Sequence, residues 1–391
     1  MLQSTASVTL LAYLAMAVPQ VVLQLLFAYR GALGQRPGGE GPTPPVDLIV
    51  PCFNEPPVTL AACLQSLAAQ DYSGSLTVWL VDDGSANRDA IREVYARFAH
   101  RGDFHLVALD RNVGKRHAQA AAISISSGEL VIGVDSDTVL DPTAVSALVA
   151  AMAGPGVGAA MGEVRAANSS ETWLTALIHR RYWLACHQER AAQSYFGAVL
   201  CCTGPVSVYR RTALNEVLDD YLGIGDKRRT LGPGEDRDLT GLILRLGCRT
   251  VYTPHARART VVPPRLCPYF RQQLRWSRSC YMETARIAPY LYRRHPYLAF
   301  DALAQTIVPF LFAVSTLCAT ASTLTGRPPG LWYPVSVLAV GALHCGYGAT
   351  RTKDLRFFLL LAYGFIHLAL TLTVRWYALC TLRTTRWETR G

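Results

Sequence analysis

Charge is scarce in this sequence: 17% of its 391 residues are Asp, Glu, Lys or Arg, against about 25% in ordinary soluble domains. Half of the chain is hydrophobic and its mean hydropathy is positive. The deficit points to membrane segments. No basic stretch precedes the first long apolar run and no small-residue cleavage site follows it, so the run reads as a retained anchor, not a cleaved leader. No CxxC pair occurs among the 11 cysteines. They read as cytoplasmic thiols buried as small apolar residues, and the adjacent Cys201 and Cys202 do not suit a zinc site. No basic stretch alternates with aromatics, which excludes an evident nucleic-acid module. The net charge of +10 is better read as facing anionic lipid or an anionic diphosphate.

What is present begins with the apolar runs. Val8–Tyr29 carries no charge and is long enough to cross a hydrocarbon core. Ala302–Leu324, Leu331–Ala349 and Phe357–Val374 are further spans, close together and separated by short loops. Arg30 and Arg36 follow the first span, and Arg351, Lys353 and Arg356 sit between the third and fourth, whereas the loop between the second and third carries only Arg327. Cytoplasmic loops collect positive charge, so the central section is expected in the cytoplasm. The tail, with Arg383, Arg386 and Arg390, disagrees with a four-span count. The expected division is an anchor at 1–29, a linker at 30–45, a globular domain at 46–265, interfacial helices at 266–300, three spans at 301–382 and a tail at 383–391.

The globular section alternates apolar strands with helices. VDLIVPCFNE, LTVWLVDDGS, FHLVALD and ELVIGVDSD read as strands, with helices near Leu60–Ala69, Asp89–Ala99 and Gly114–Ser126 between them. This is an α/β pattern, suited to a sheet covered on both faces. Polar residues gather where the strands end: Asn54 and Glu55, Asp82 and Asp83, Asp135 and Asp137. Open α/β sheets bind ligands outside those ends.

Each cluster admits a chemical and a bland reading. In a strand, residues i and i+2 share a face, so Asp135 and Asp137 could hold one Mg²⁺ or Mn²⁺ together with substrate phosphates; the alternative is a solvated turn. Asp82 and Asp83 could accept from a base or ribose, while Ser85 or Asn87 could cap the next helix. Lys115 and Arg116 open a helix and suit a diphosphate, or a plain solvated helix start. Asp236, with Glu235 as rival, could take a proton from an acceptor hydroxyl, or either could favour a helix dipole. Gln272, Arg275 and Trp276 could grip a diphosphate and stack on a sugar, or lie at a membrane surface. In Thr172–Arg190 a face of Trp173, Leu174, Leu177, Ile178 and Leu184, with Arg180 and Arg190 elsewhere, suits membrane docking or core packing.

In order, VDDGS, NVGKR, DSD, CCTGP, GEDR and QQLRW resemble the processive family 2 glycosyltransferases, which include chitin, hyaluronan and cellulose synthases. GEDRDLT, YFRQQLRWSRS and YWLACHQERAAQSYFGAVLCCTGP look most like the nodulation chitin-oligosaccharide synthases. The resemblance implies a GT-A nucleotide-sugar domain with interfacial helices, one leading and about three trailing transmembrane helices, in a bacterial inner membrane. It implies inverting β-1,4 transfer of N-acetylglucosamine from UDP-GlcNAc to a chitin oligosaccharide, with Mg²⁺ or Mn²⁺. On this chain Asp82 would contact the uridine, with Asn54, Glu55, Asp83, Lys115 and Arg116 on the donor side. Asp135 and Asp137 would hold the metal and Asp236 would be the base. Gln272, Arg275 and Trp276 would close over the substrates, and Thr203, Gly204 and Pro205, with Glu235, would meet the acceptor. Thr203 replaces a cysteine common in that subgroup, and Gly223–Gly234 looks like a variable loop; either could tune acceptor or product length. Alternatives are a hyaluronan-type polymerase that alternates UDP-GlcNAc with UDP-glucuronate, a non-catalytic sugar-nucleotide sensor, and a transporter using Asp301, His344, His367 and Arg375.

Overall fold

The computed structural model describes residues 2–34, 43–224, 234–362 and 372–382. Its centre is an eight-stranded mixed sheet of order β3-β2-β1-β4-β7-β6-β8-β5. β1 (Val46–Cys52) is buried at every position, as its mostly apolar run requires of a strand covered on both faces; its one charge, Asp47, is paired with Arg211 at 2.8 Å. It pairs in parallel with β2 (Leu76–Asp82) on one side and β4 (Leu130–Gly133) on the other, and β2 pairs in parallel with β3 (Phe104–Ala108). The strand order therefore reverses beside β1, and the loops that leave β1, β2 and β4 open into one crevice.

Helices α2 (Pro57–Ala68), α3 (Arg88–Ala96) and α4 (Lys115–Ile125) connect these strands, each end within three residues of the sequence expectation, and α5 (Ala144–Met152) leads into the far half of the sheet. The far half departs from a purely parallel sheet. The short β7 (Ser207–Arg210), followed by α8 (Arg211–Leu222), runs antiparallel between β4 and β6 (Val157–Ala166). β8 (Arg249–Thr260) pairs in parallel with β6, and β5 (Thr138–Leu140) pairs antiparallel with β8. Two hydrophobic cores sandwich the sheet, one around Val50, Leu64 and Ile132, the other around Ile49, Met161 and Leu242.

Thr172 caps α6 (Trp173–Leu184) through a reciprocal bond with Thr175. The helix continues through a π-helical turn, Ala185–Arg190, into α7 (Ala191–Tyr195). Its expected division of faces is corrected in two places. Trp173 is 58% exposed. Arg180 is buried, because its guanidinium pairs with Asp354 at 3.2 Å across 174 positions of sequence.

The apolar runs form helices longer than the sequence suggests. α1 spans Leu2–Gly34, so the expected linker starts inside it. α10 (Leu266–Arg294) is one continuous helix and α11 (Pro296–Leu324) follows almost at once. Among the described residues, two helices are long and apolar enough to cross a membrane, at Ser4–Ala32 and Pro296–Leu324. The third expected span does fold, as α12 (Trp332–Thr352), but Gly341, His344, Gly346, Tyr347 and Gly348 dilute its hydropathy. The fourth begins in a 3₁₀ turn, Leu355–Leu359, and ends in α13 (Leu372–Cys380); the part between 363 and 371, with His367, lies outside the described residues, as does the tail from 383. Leu10, Tyr13 and Val21 of α1 pack with Ala319 of α11 and with Tyr333 and Val340 of α12.

Candidate active site

The crevice is built from loops that first satisfy themselves. Asn54 takes a left-handed conformation, φ 52°, which Asn tolerates better than most residues. Its N–H donates to Ser85 Oγ (2.9 Å) and its Oδ1 accepts from Ala86 N (2.8 Å). Asn87 Nδ2 donates to the Glu55 carbonyl (2.9 Å). Neither Ser85 nor Asn87 caps α3 with its side chain: Ser85 Oγ and Asn87 Nδ2 instead tie the first two strand-end loops together. Gly84 has φ 69°, and a Cβ there would meet the Arg111 carbonyl carbon at 2.4 Å, so only glycine fits where the two loops cross.

The acidic groups at these strand ends are similarly committed. Asp82 accepts from Ser85 N (2.9 Å) and Arg88 Nε (3.0 Å). Asp83 accepts from Val113 N (2.7 Å) and Gly114 N (2.9 Å), which fixes the loop leading into α4. Glu55, almost fully buried, accepts from Ser136 Oγ (2.7 Å), so the first strand-end loop grips the middle residue of the DSD segment.

Asp135 and Asp137 reach the crevice by a different route from the one expected. β4 stops at Gly133, and Asp137 lies in a turn leading to β5, so the two are not strand neighbours. Burial still alternates across the segment: Asp135 and Asp137 are partly exposed while Val134, Ser136 and Thr138 are buried. Thr260 Oγ1, at the end of β8, donates to Asp137 Oδ1 (3.2 Å), a contact that sequence reading missed.

The adjacent Lys115 and Arg116 part company. Arg116 was expected on a diphosphate, but it is 8% exposed, bonds Asp238 Oδ2 at 2.5 Å and stacks 4.3 Å from the Tyr221 ring. Consecutive helical residues point about 100° apart, and this one points into the protein. Lys115 faces the crevice. Its Nζ lies 2.7 Å from Asp135 Oδ1, 3.1 Å from Glu235 Oε1 and 3.6 Å from Asp236 Oδ1. Burial opposes its charge, but the three carboxylates outweigh burial and hold its pKa well above the usual lysine range.

Glu235 and Asp236 begin α9 (Glu235–Arg245) after Gly234, whose φ is 141° and whose missing Cβ makes room for Ser279 of α10. Burial works against the charge on Glu235, yet Lys115 and then Arg275 more than offset it and hold the pKa at about 2. Asp236 goes the other way. Burial is the largest cause, with the Glu235 and Asp135 charges adding to it against Lys115, and the pKa rises to about 6. Asp236 Oδ2 accepts from Gly204 N (2.8 Å), and Cys202 N donates to Thr240 Oγ1 (2.9 Å), so α9 seats the CCTGP loop.

α10 supplies the remaining wall. Trp276 is 40% exposed, with its ring 6.3 Å from Tyr182. Thr203 Oγ1 and Gln272 Oε1 are buried with no hydrogen-bond partner among the described residues. Buried polar atoms are seldom left so, and both suit groups that a substrate would complete. Arg278, another residue that sequence reading missed, is 1% exposed and ties α10 to the turn just after the last helix by donating to Thr381 Oγ1 (2.9 and 3.1 Å). Its signal was its position one turn beyond Arg275, on the same helix face.

A sequence profile described as glycosyltransferase like family 2 matches residues 44–279, which is the sheet, the crevice and the first half of α10. The chain is a family 2 glycosyltransferase. It is 44% identical to an N-acetylglucosaminyltransferase of Bradyrhizobium diazoefficiens over 100% of this chain and 81% of that one. To the N-acetylglucosaminyltransferase of Rhizobium meliloti it is 45% identical, over 99% and 91%. Among solved structures, the mannosyltransferase PcManGT from Pyrobaculum calidifontis, in complex with GDP-Man and Mn²⁺, matches with a TM-score of 0.63 at 21% identity, covering 94% of the glycosyltransferase and 99% of that chain. This likeness establishes the GT-A-like fold.

For a metal, the glycosyltransferase offers Asp135 and Asp137, two partly exposed oxygen donors in the turn that follows β4. Among the described residues no group of three or more His, Cys, Asp or Glu could hold an ion unaided. The set fits Mg²⁺ or Mn²⁺ shared with substrate phosphates and water, the usual arrangement for ions that dehydrate reluctantly.

Proposed function

We propose that this glycosyltransferase adds N-acetylglucosamine from UDP-GlcNAc to the C4 hydroxyl of a chitin oligosaccharide, with inversion, from the cytoplasmic face of a bacterial inner membrane. The observation that carries the reading is the convergence on Lys115 of Asp135, from the donor-side strands, and of Glu235 and Asp236, from the helix that seats Gly204. Donor and acceptor machinery thus meet at one point. The sugar is taken from the relatives in Bradyrhizobium diazoefficiens and Rhizobium meliloti.

The acceptor oxygen attacks C1 of the donor sugar, the bond from C1 to the diphosphate oxygen breaks, and UDP leaves. Asp236 receives the acceptor proton. A carboxylate with a pKa of about 6 is ionised at neutral pH, yet more basic than a free aspartate. Glu235 stays charged and holds Lys115 in place. Asp135 and Asp137 would hold a Mg²⁺ or Mn²⁺ ion, which neutralises diphosphate charge when bound. Trp276 offers an apolar face to a sugar ring, and Gln272 and Thr203 offer unfilled polar atoms to its hydroxyls.

Mass spectrometry of products made by the full chain in membranes tests the reading. With UDP-GlcNAc as the only donor, a series of β-1,4-linked N-acetylglucosamine oligomers is expected. A strict requirement for UDP-glucuronate would replace this reading with the hyaluronan type.

A further inference from the structure

The membrane side of the molecule holds a buried carboxylate of its own. Asp301, on α11, has no exposed surface. Its Oδ1 accepts from Gln24 Nε2 of α1 (2.7 Å), and its Oδ2 accepts from Gln193 Nε2 of α7 and Gln305 Nε2 of α11 (2.9 Å each). The two amides from other helices pass the contact on. Gln193 Oε1 accepts from Leu200 N (3.1 Å). Gln24 Oε1 accepts from Gln188 Nε2 (3.0 Å) in the π-helical turn, and Gln188 also meets His344 Nδ1 of α12 at 2.9 Å.

The chemistry of this chain has a direction. A primary amide has a donor end and an acceptor end, whereas an ionised carboxylate only accepts. Asp301 therefore makes Gln193 present its NH₂ to the bundle and its carbonyl to Leu200. Leu200 opens the segment that continues through Cys202 and Thr203 to Gly204, whose N–H meets Asp236. The joint is stiffened by aromatic packing: Phe27 of α1 lies 5.6 Å from Tyr195, 4.7 Å from Phe196 and 4.7 Å from Tyr297.

We infer that Asp301 is a positioning residue: its acceptor-only carboxylate fixes the polarity of the Gln193 amide, and through it the seat of the Leu200–Pro205 segment that presents the acceptor sugar. The inference rests on the reading of Thr203–Pro205 as the acceptor loop. It assigns to the helical bundle a part in acceptor alignment and none in donor binding.

Four variants of the full chain in membrane vesicles test it, with acceptor KM for a chitin oligosaccharide measured beside UDP affinity. Asp301→Leu is expected to raise the acceptor KM about tenfold and leave UDP affinity within about twofold. Gln193→Glu, which sets a second carboxylate against Asp301, is expected to do the same. The double variant Asp301→Asn with Gln193→Glu restores a donor facing an acceptor and still leaves an oxygen for Leu200 N–H. Recovery to within about threefold of the parent KM is expected. An unchanged acceptor KM in Asp301→Leu, an equal loss of UDP affinity, or a double variant no better than Gln193→Glu alone would overturn the inference. If Asp301→Leu does not accumulate in the membrane, the comparison of Gln193→Glu with the double variant decides. Thr203→Val separates the two readings. If it raises the acceptor KM while Asp301→Leu does not, only the Asp301 inference falls; if neither changes it, the acceptor-loop reading falls and the inference with it.

Discussion

In the crevice, Asp135, Glu235 and Asp236 crowd around one ammonium, that of Lys115. In the bundle, Asp301 is wrapped by the amides of Gln24, Gln193 and Gln305. Asp301 and Glu235 are buried while Asp135 and Asp236 keep some exposure, and the two places balance their carboxylates differently. Amides satisfy lone pairs without adding charge, and the bundle needs only geometry to be complete. The crevice has more negative than positive charge at its centre, with Asp137 close by. A buried carboxylate near like charges resists ionisation, so the crevice is left receptive to protons and to further cations. One arrangement suits holding and the other suits chemistry.

The most damaging change on the crevice side is Asp236→Asn. It removes the proton acceptor and keeps the shape, so kcat should fall by ~10²–10⁴, while UDP affinity by calorimetry stays within a few-fold. A normal kcat in that variant would assign the base elsewhere, with Glu235 the first candidate.

Lys115→Met is the next largest. Asp236 must be ionised to act, so kcat/KM of the parent enzyme should fall as pH drops through about 6. Lys115 lowers the Asp236 pKa, and its loss lets the carboxyl keep its proton to higher pH. The acid limb of kcat/KM should move upward by ~1–2 pH units. An acid limb that stays in place while activity falls at every pH would make Lys115 a substrate ligand and not the counter-charge of the base.

Thr260→Val should have a smaller effect. The hydroxyl orients Asp137, and partners of metal ligands are typically worth ~10–100-fold in metal affinity. The Mn²⁺ concentration for half-maximal activity should rise about tenfold, with maximal activity recovered at saturating metal. Loss of maximal activity under saturation would give Thr260 a role beyond orienting a carboxylate.

These residues were unequally visible in the sequence. The central strands were legible because β4 is an apolar run and β1 is one but for Asp47, and their polar ends had to face a crevice. What Lys115 touches was not legible. Its place at a helix start argued for a phosphate, but its partners in the fold are Glu235 and Asp236, far along the chain. Arg116 and Arg180 were misjudged for a related reason. A cation reads as exposed until the fold supplies an acid beside it, here the buried Asp238 and the partly exposed Asp354. The spacing of DSD suggested a metal pair through strand geometry, yet β4 ends too early for that argument; the alternation of burial across the turn places both carboxylates at the crevice. The reversal at β7 had no clear signal, since four residues of mixed type do not announce a direction. The π-helical turn that carries Gln188 had none either.

The smallest expected effect lies on the bundle side and decides how separate the two regions are. Gln305→Met removes one of the amides around Asp301 and keeps the volume of the side chain; Gln24 and Gln193 remain. A hydrogen bond to a charged group is worth ~1.5–3 kcal/mol, and the surviving partners should reduce the loss to the low end of that range. A lower Tm in detergent is expected, with the acid limb of kcat/KM unmoved, because the amide carries no charge that Asp236 could sense. If the limb shifts, the field at Asp301 reaches the crevice, and the two carboxylate clusters form one electrostatic system joined through the acceptor loop.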